Sequence, residues 1–254
     1  MDLPLFPLHT VLCPGIALPL HIFEPRYRLM IARCLRDGTA FGVILIVEGR
    51  ETGDDPVSLA TVGTVAEIRE AKRRSDGRYD ITAVGTTRFR LESVDADSEA
   101  YLVGRVRPLA ERVVDDVGAR DLVGRVSRRF LHYLDLLKPA DGEDGPEMDV
   151  RLEVDLEAAT PASDPELDAD TVGVAAQPGR RRRIALSNDP TILAHLVSGI
   201  VRVDPARRQV LLEAATTEER LLDLDRLLDE EIPLLARRLR HYTADPRMLA
   251  IRRN

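Results

Sequence analysis

Prolines at positions 4, 7, 14, 19 and 25 cut the first 25 residues into short apolar runs, and this spacing constrains the fold more than any other feature of the chain. Proline has a fixed φ and no backbone N–H, so no helix passes through such a lead. Pro25 stands where a helix tolerates proline best, at its first residue. Tyr27, Met30, Ile31, Cys34 and Leu35 follow at helical spacing with Arg26, Arg28, Arg33 and Arg36 on other faces. That pattern predicts one amphipathic helix packed on a sheet. Residues 43–47 are then apolar without interruption between Gly42 and Gly49, as in a strand buried on both faces.

Residues 62–71 and 78–94 flank Ser75-Asp76-Gly77, a hairpin turn signal. Val-Gly-Thr occurs in both arms, at 62–64 and 84–86, where a missing side chain permits a bulge or bend of the kind that closes small barrels. A further strand is expected over 101–106, with Pro108 at its end. The apolar period then changes from two to 3.6. Leu122, Val123, Val126, Phe130, Leu131, Leu134 and Leu137 form one stripe. Asp189 before Pro190 and Asp204 before Pro205 each place a capping carboxylate ahead of a proline at the first helical position. Thr216 with Glu219 reads as a capping box for a last helix running through Leu221, Leu224, Leu227, Leu228 and Leu235. The expected class is α+β: a small antiparallel β-barrel with one helix over 1–112, followed by an α-helical bundle over 113–254.

Charge is unevenly spread. The net charge is −7, yet residues 141–170 hold twelve acidic residues against Arg151 alone, which leaves about +4 for the rest. Arg180, Arg181, Arg182 and Arg183 account for that remainder, so no large basic surplus faces a phosphate backbone. Residues 139–183, rich in Pro, Gly, Asp and Glu, read as an acidic, flexible insertion in the bundle. Met148, Val150, Leu152, Val154 and Leu156 alternate with polar residues inside it and suggest an added edge strand. Cys13 and Cys34 are too few for a disulfide framework. The prolines break any signal-peptide helix, and no run of about 18 apolar residues exists to span a bilayer. A reducing cytoplasm is the expected setting.

The segments LPLFPLHTVLCPGIALPLHIFEPRYRLMIARCL, VGTVAEI and DGRYDITAVGTTRFRL, followed by LSNDPTILAHLVSGIV and RRQVLLEAATTEERLLDLDRLLDEEI, resemble the Lon N-terminal domain. This polypeptide-binding module precedes the ATPase and protease in Lon proteases. The resemblance covers nearly the whole chain, except residues 139–183, and implies a PUA-like barrel followed by helices. It also implies that Phe23, Glu24, Arg26, Tyr27 and Arg28, matching the family's FEPRYR segment, are the positions that touch a polypeptide. Packing competes with that role, because aromatic residues at helical spacing usually face a core and Glu24 with Arg28 forms only an i,i+4 pair.

Catalytic motifs point away from an enzyme. No G-x-x-x-x-G-K-[ST] loop occurs, and the only lysines, Lys72 and Lys138, lie outside glycine-rich loops, so neither a phosphate cradle nor a serine–lysine pair is expected. The eight serines lack a G-x-S-x-G elbow, and His9, Cys13 and His21 fit no metal-ligand or nucleophile spacing. No cofactor and no metal are expected. Arg180–Arg183 with the barrel edge offers a second reading, an RNA- or ribosome-associated module, weakened by the acidic insertion and by only ten aromatic residues for base stacking. The apolar stripe from Leu221 to Leu239, interrupted by Pro233, is expected to pack into the bundle up to Leu228. The functional expectation is a non-catalytic module that captures unfolded or flexible polypeptides in a groove near the barrel–bundle junction, as an adaptor or holdase for a separate ATPase or protease. The sequence leaves its oligomeric state open.

Overall fold

The computed structural model describes residues 1–49, 58–137 and 186–243. Seven strands come first: β1 (Asp2–Leu8), β2 (Ala17–Ile22), β3 (Phe41–Glu48), β4 (Ser58–Leu59), β5 (Val62–Arg73), β6 (Tyr79–Asp95) and β7 (Val103–Pro108), with helix α1 (Pro25–Asp37) between β2 and β3. Strand β1 pairs antiparallel with β7, then β7 with β6, β6 with β5 and β5 with β3. β3 returns to β1 in parallel and closes the ring. That parallel seam is the one exception to the antiparallel barrel. Closure leaves β2 outside the ring on β6, with a single neighbour, where the missing N–H of Pro19 costs least.

The two Val-Gly-Thr repeats explain the closure. β5 and β6 shift register between Thr64 and Ala66, where Ala66 comes opposite Gly85, and Thr64 turns inward to donate from Oγ1 to the Leu12 carbonyl at 2.6 Å. At Gly63 a Cβ would lie 2.6 Å from the Val43 carbonyl oxygen and 2.5 Å from the Phe89 ring, so two barrel walls approach through a position that admits no side chain. Helix α1 covers one side of the barrel, burying Tyr27, Met30, Ile31 and Cys34 among Phe6, Leu12, Ile22 and Phe41.

Four helices follow: α2 (Asp116–Leu137), α3 (Pro190–Ile200), α4 (Pro205–Glu213) and α5 (Thr217–Thr243). The caps form as the sequence predicts. Asp189 accepts from the amides of Thr191 and Ile192, and Asp204 from Arg207. Thr216 and Glu219 exchange side-chain bonds with each other's amides. Helices α2 and α5 run in the same direction, since Glu218 near the start of α5 takes the amides of Val114 and Asp115, and Arg129 further along α2 pairs with Asp229 at 3.0 Å. Helix α3 lies alongside with the same sense, its Thr191 bonded to Thr217. Helix α4 runs back against α5 and lends Leu212 to the barrel core.

Three details depart from expectation. Leu35 and Leu131, assigned to core stripes, are exposed, and so is Val47 at the end of the apolar run in β3. Each sits at the margin of its apolar face, where a one-dimensional period cannot tell inside from outside. The Met148–Leu156 alternation, the Arg180–Arg183 run and Lys138 lie outside the described residues.

Candidate functional site

The FEPRYR segment turns the chain from β2 into α1, and the structure splits its residues. Tyr27 points inward, 5% exposed, with its ring 4.3 Å from that of Phe6. Phe23, one turn earlier, is 51% exposed and stacks on His21 at 6.2 Å. Glu24 pairs with Arg26 at 3.0 Å instead of the expected Arg28, because its side chain folds across the helix start while the Glu24 carbonyl takes the Arg28 amide. The Arg26 guanidinium lies 4.7 Å over the Tyr27 ring. Arg28 reaches the β5–β6 turn, where its Nη2 lies 2.5 Å from where a Cβ on Gly77 would stand; Gly77 has φ +80°, and that left-handed backbone is what the turn needs glycine for. Thus Arg28 braces the hairpin, and Phe23 is the aromatic group that this corner leaves in water.

Beside Phe23 runs an open trough of about 650 Å³ over residues 19–21, 70–72 and 80–82. Glu70, Lys72, Asp80 and His21 line it, and of these Asp80 and His21 are engaged with each other. Asp80 accepts from Arg74 at 2.6 Å and sits 2.7 Å from His21, and Arg74, the nearer cause, and His21 hold its carboxyl below the usual range. This corner lies far from the helical half. Ile16, just before β2, packs on Gly199 of α3, so the length of β2, roughly 20 Å by strand rise, separates Phe23 from the bundle. The FEPRYR corner and the barrel–bundle junction are therefore two places, which the linear order of the sequence could not reveal.

The junction is built on buried charge. Arg88 of β6 is 2% exposed and Arg220 of α5 is 0%. Arg88 bonds Glu111 in bidentate fashion at 2.6 and 3.1 Å and donates from Nη1 to the Leu212 and Ala214 carbonyls at 2.7 and 2.8 Å. Arg220 donates to the Leu211 and Ala214 carbonyls and to Glu111. These carbonyls end α4, where a helix leaves its last acceptors without partners and its dipole is negative, so two guanidiniums satisfy them. One strand, one linker carboxylate and two helices meet in a single network.

His195 of α3 completes it. Its Nε2 lies 3.0 Å from Glu111, but the approach is out of line with the ring N–H, and neither ring nitrogen has an aligned hydrogen-bond partner among the described residues. Burial lowers the imidazole below 6.5; Glu111 pulls the other way, and Arg220 and Arg88 add to the lowering, so His195 is neutral at pH 7. Burial alone would raise the Glu111 carboxyl, but His195, Arg88 and Arg220 outweigh it and hold it at about 2. The Cys13 thiol is pushed up to about 12 by burial, against Arg208 and Arg220, so it stays protonated and is no nucleophile. No group of three or more potential metal ligands occurs among the described residues, and no described helix is long and apolar enough to cross a membrane. Sequence reasoning missed this network. The signals were His195 in an otherwise apolar helix and Arg220 at core spacing from Leu224 and Leu227.

The described fold is thus a closed barrel with a covering helix, joined to a helical half by buried charge. Residues 2–230 match the family described as the ATP-dependent protease La (LON) substrate-binding domain, and the chain belongs to it. The Lon protease of Anaeromyxobacter dehalogenans is 28% identical over 137 residues, which is 53% of this chain and 16% of that protein. Protein cereblon of Gallus gallus is 27% identical over 133 residues, 51% of this chain and 28% of that one. The chain thus spans between 13% and 28% of the curated relatives it matches. The Lon N-terminal domain protein from Xanthomonas campestris superposes with a TM-score of 0.53 at 22% identity, covering 88% of this chain and 96% of that one. The N-terminal domain of the Mycobacterium avium complex Lon protease gives 0.53 at 15% identity, covering 90% and 98%.

Proposed function

We propose that this substrate-binding domain captures exposed apolar or flexible segments of other polypeptides through the corner formed by Phe23, Glu24, Arg26, Tyr27 and Arg28, and serves as an adaptor or holdase. The carrying observation is the half-exposed Phe23 ring beside charges that are engaged with one another, Glu24 with Arg26 and Asp80 with Arg74 and His21. The Phe23 ring offers a partner apolar, non-directional contact, which suits weak, promiscuous recognition. Tyr27 and Arg28 hold the corner in place while Phe23 makes the contact. A separate ATPase or protease is the natural recipient of a captured chain, and two free buried cysteines suit a cytoplasmic setting.

Binding of the purified protein and of Phe23→Ser to a permanently unfolded polypeptide, and to a single-stranded RNA, at low and high salt tests this reading. The expected result is polypeptide capture that barely changes with salt and falls about tenfold in the variant. Binding only to RNA, lost at high salt, overturns it.

A further inference from the structure

We propose that the crook between α4 and α5 is a second docking surface, fitted to an extended peptide segment in which arginine or lysine alternates with a branched apolar residue. The crook is an open depression of about 500 Å³ lined by Val210, Glu213, Ala214, Ala215, Glu219, Leu222, Asp223 and Arg226. Val210 and Leu222 are its large apolar side chains, 59% and 38% exposed. Three carboxylates stand around them against one guanidinium. Glu219 uses Oε2 for the amides of Ala215 and Thr216, Glu213 uses Oε1 for Gln209, and Asp223 meets Arg226 through Oδ1 at 3.5 Å. The second oxygen of each has no protein partner among the described residues. Asp223–Arg226 is a solvent-exposed pair, weak enough for an incoming guanidinium to displace.

The partner's chemistry follows from this lining. An all-apolar segment would cover the carboxylates without answering them, and an acidic segment or a phosphate backbone would be repelled. A segment alternating cation and apolar group places one beside Glu213, Glu219 and Asp223 and the other against Val210 and Leu222.

Rigidity supplies an independent argument. Directly beneath the crook, Arg88 and Arg220 hold the carbonyls of Leu211, Leu212 and Ala214, and the Thr216–Glu219 capping box fixes the first turn of α5. The loop between the helices is thereby held from below, and a pre-organised surface loses less entropy on binding than a mobile one.

The surface does not depend on the Phe23 reading, and the experiment separates them. A fluorescent eight-residue peptide alternating arginine and valine is titrated into the protein, with glutamate–valine and arginine–serine peptides as comparisons. In the Phe23→Ser protein, which lacks the aromatic ring of the other surface, only the arginine–valine peptide is expected to bind. Leu222→Ser should weaken it about tenfold, and Glu213→Gln with Asp223→Asn should weaken it several-fold and flatten its salt dependence. If Leu222→Ser disturbs the circular dichroism spectrum, Val210→Ser on the other helix gives the same test. The proposal is overturned if the arginine–serine or glutamate–valine peptide binds equally well, if neither apolar substitution weakens binding, if Phe23→Ser alone abolishes it, or if no binding is seen up to about 1 mM peptide.

Discussion

The barrel and the helical half are held by different means. In the barrel the backbone does the closing: five strands pair around a ring, and the tight points are glycines where one wall meets another. In the helical half, separate helices with their own backbone bonds are brought together by apolar stripes, caps and buried guanidiniums. A ring tolerates no added atom at a closure point, whereas a bundle has space on its outer faces and concentrates its sensitivity in a few side chains.

Gly63→Val should break this contrast most severely, because the added branches meet the Val43 carbonyl and the Phe89 ring; we expect a loss of more than about 4 kcal/mol, read by urea denaturation followed by circular dichroism. Next comes Glu111→Gln, which leaves two buried guanidiniums facing each other without their shared carboxylate. About 3 kcal/mol should be lost in the same measurement, and a value near zero would show that the carbonyls alone support the arginines.

Acid should act on the junction before the barrel. His195 binds its proton less readily folded than unfolded, so its contribution is present above pH 6.5 and fades as the pH falls below that toward its lower folded value. Glu111, depressed from 4.5 to about 2, contributes above pH 4.5 and is lost as the pH falls through about 2. Stability should therefore decline in two stages on acidification. His195→Gln should flatten the upper stage, and hydrogen exchange should place the early loss at the ends of α3 and α4.

Asp189→Ala removes two capping bonds at the start of α3 and should cost about 1 kcal/mol, a change in midpoint without a change in denaturant slope. The smallest effect sharpens the comparison from the other side. Outside its own stretch of helix backbone, the nearest atom to a Cβ added at Gly124 in α2 is Arg128 Nη1, at 3.6 Å, so Gly124→Ala should stabilise by about 0.5–1 kcal/mol, opposite in sign to any side chain at Gly63.

Much of the architecture was legible in the chain. The proline-punctuated lead, the apolar run of β3, the Ser75–Gly77 turn and the three capped helix starts stand where local pattern puts them, because each depends on residues a few positions apart. The candidate site was legible only in part. The FEPRYR segment was identified, but its exposed ring and its buried ring look alike in a string of letters, and the difference comes from which side of the chain faces Phe6.

By itself the sequence determined element type, order and caps, together with the expectation of a small barrel and a helical half, since propensity, periodicity and capping are short-range properties. Only the tertiary structure decided that β3 closes on β1 in parallel and that Phe23 lies a strand's length from the bundle. It alone brought Arg88, Glu111, His195 and Arg220 together across more than a hundred positions. Of the two arginines buried among the described residues, Arg88 carries no local mark and Arg220 only its core spacing, because their burial depends on carbonyls at the end of another helix. Long-range contacts of that kind are written in no single stretch of the chain, and they fix where its surfaces stand.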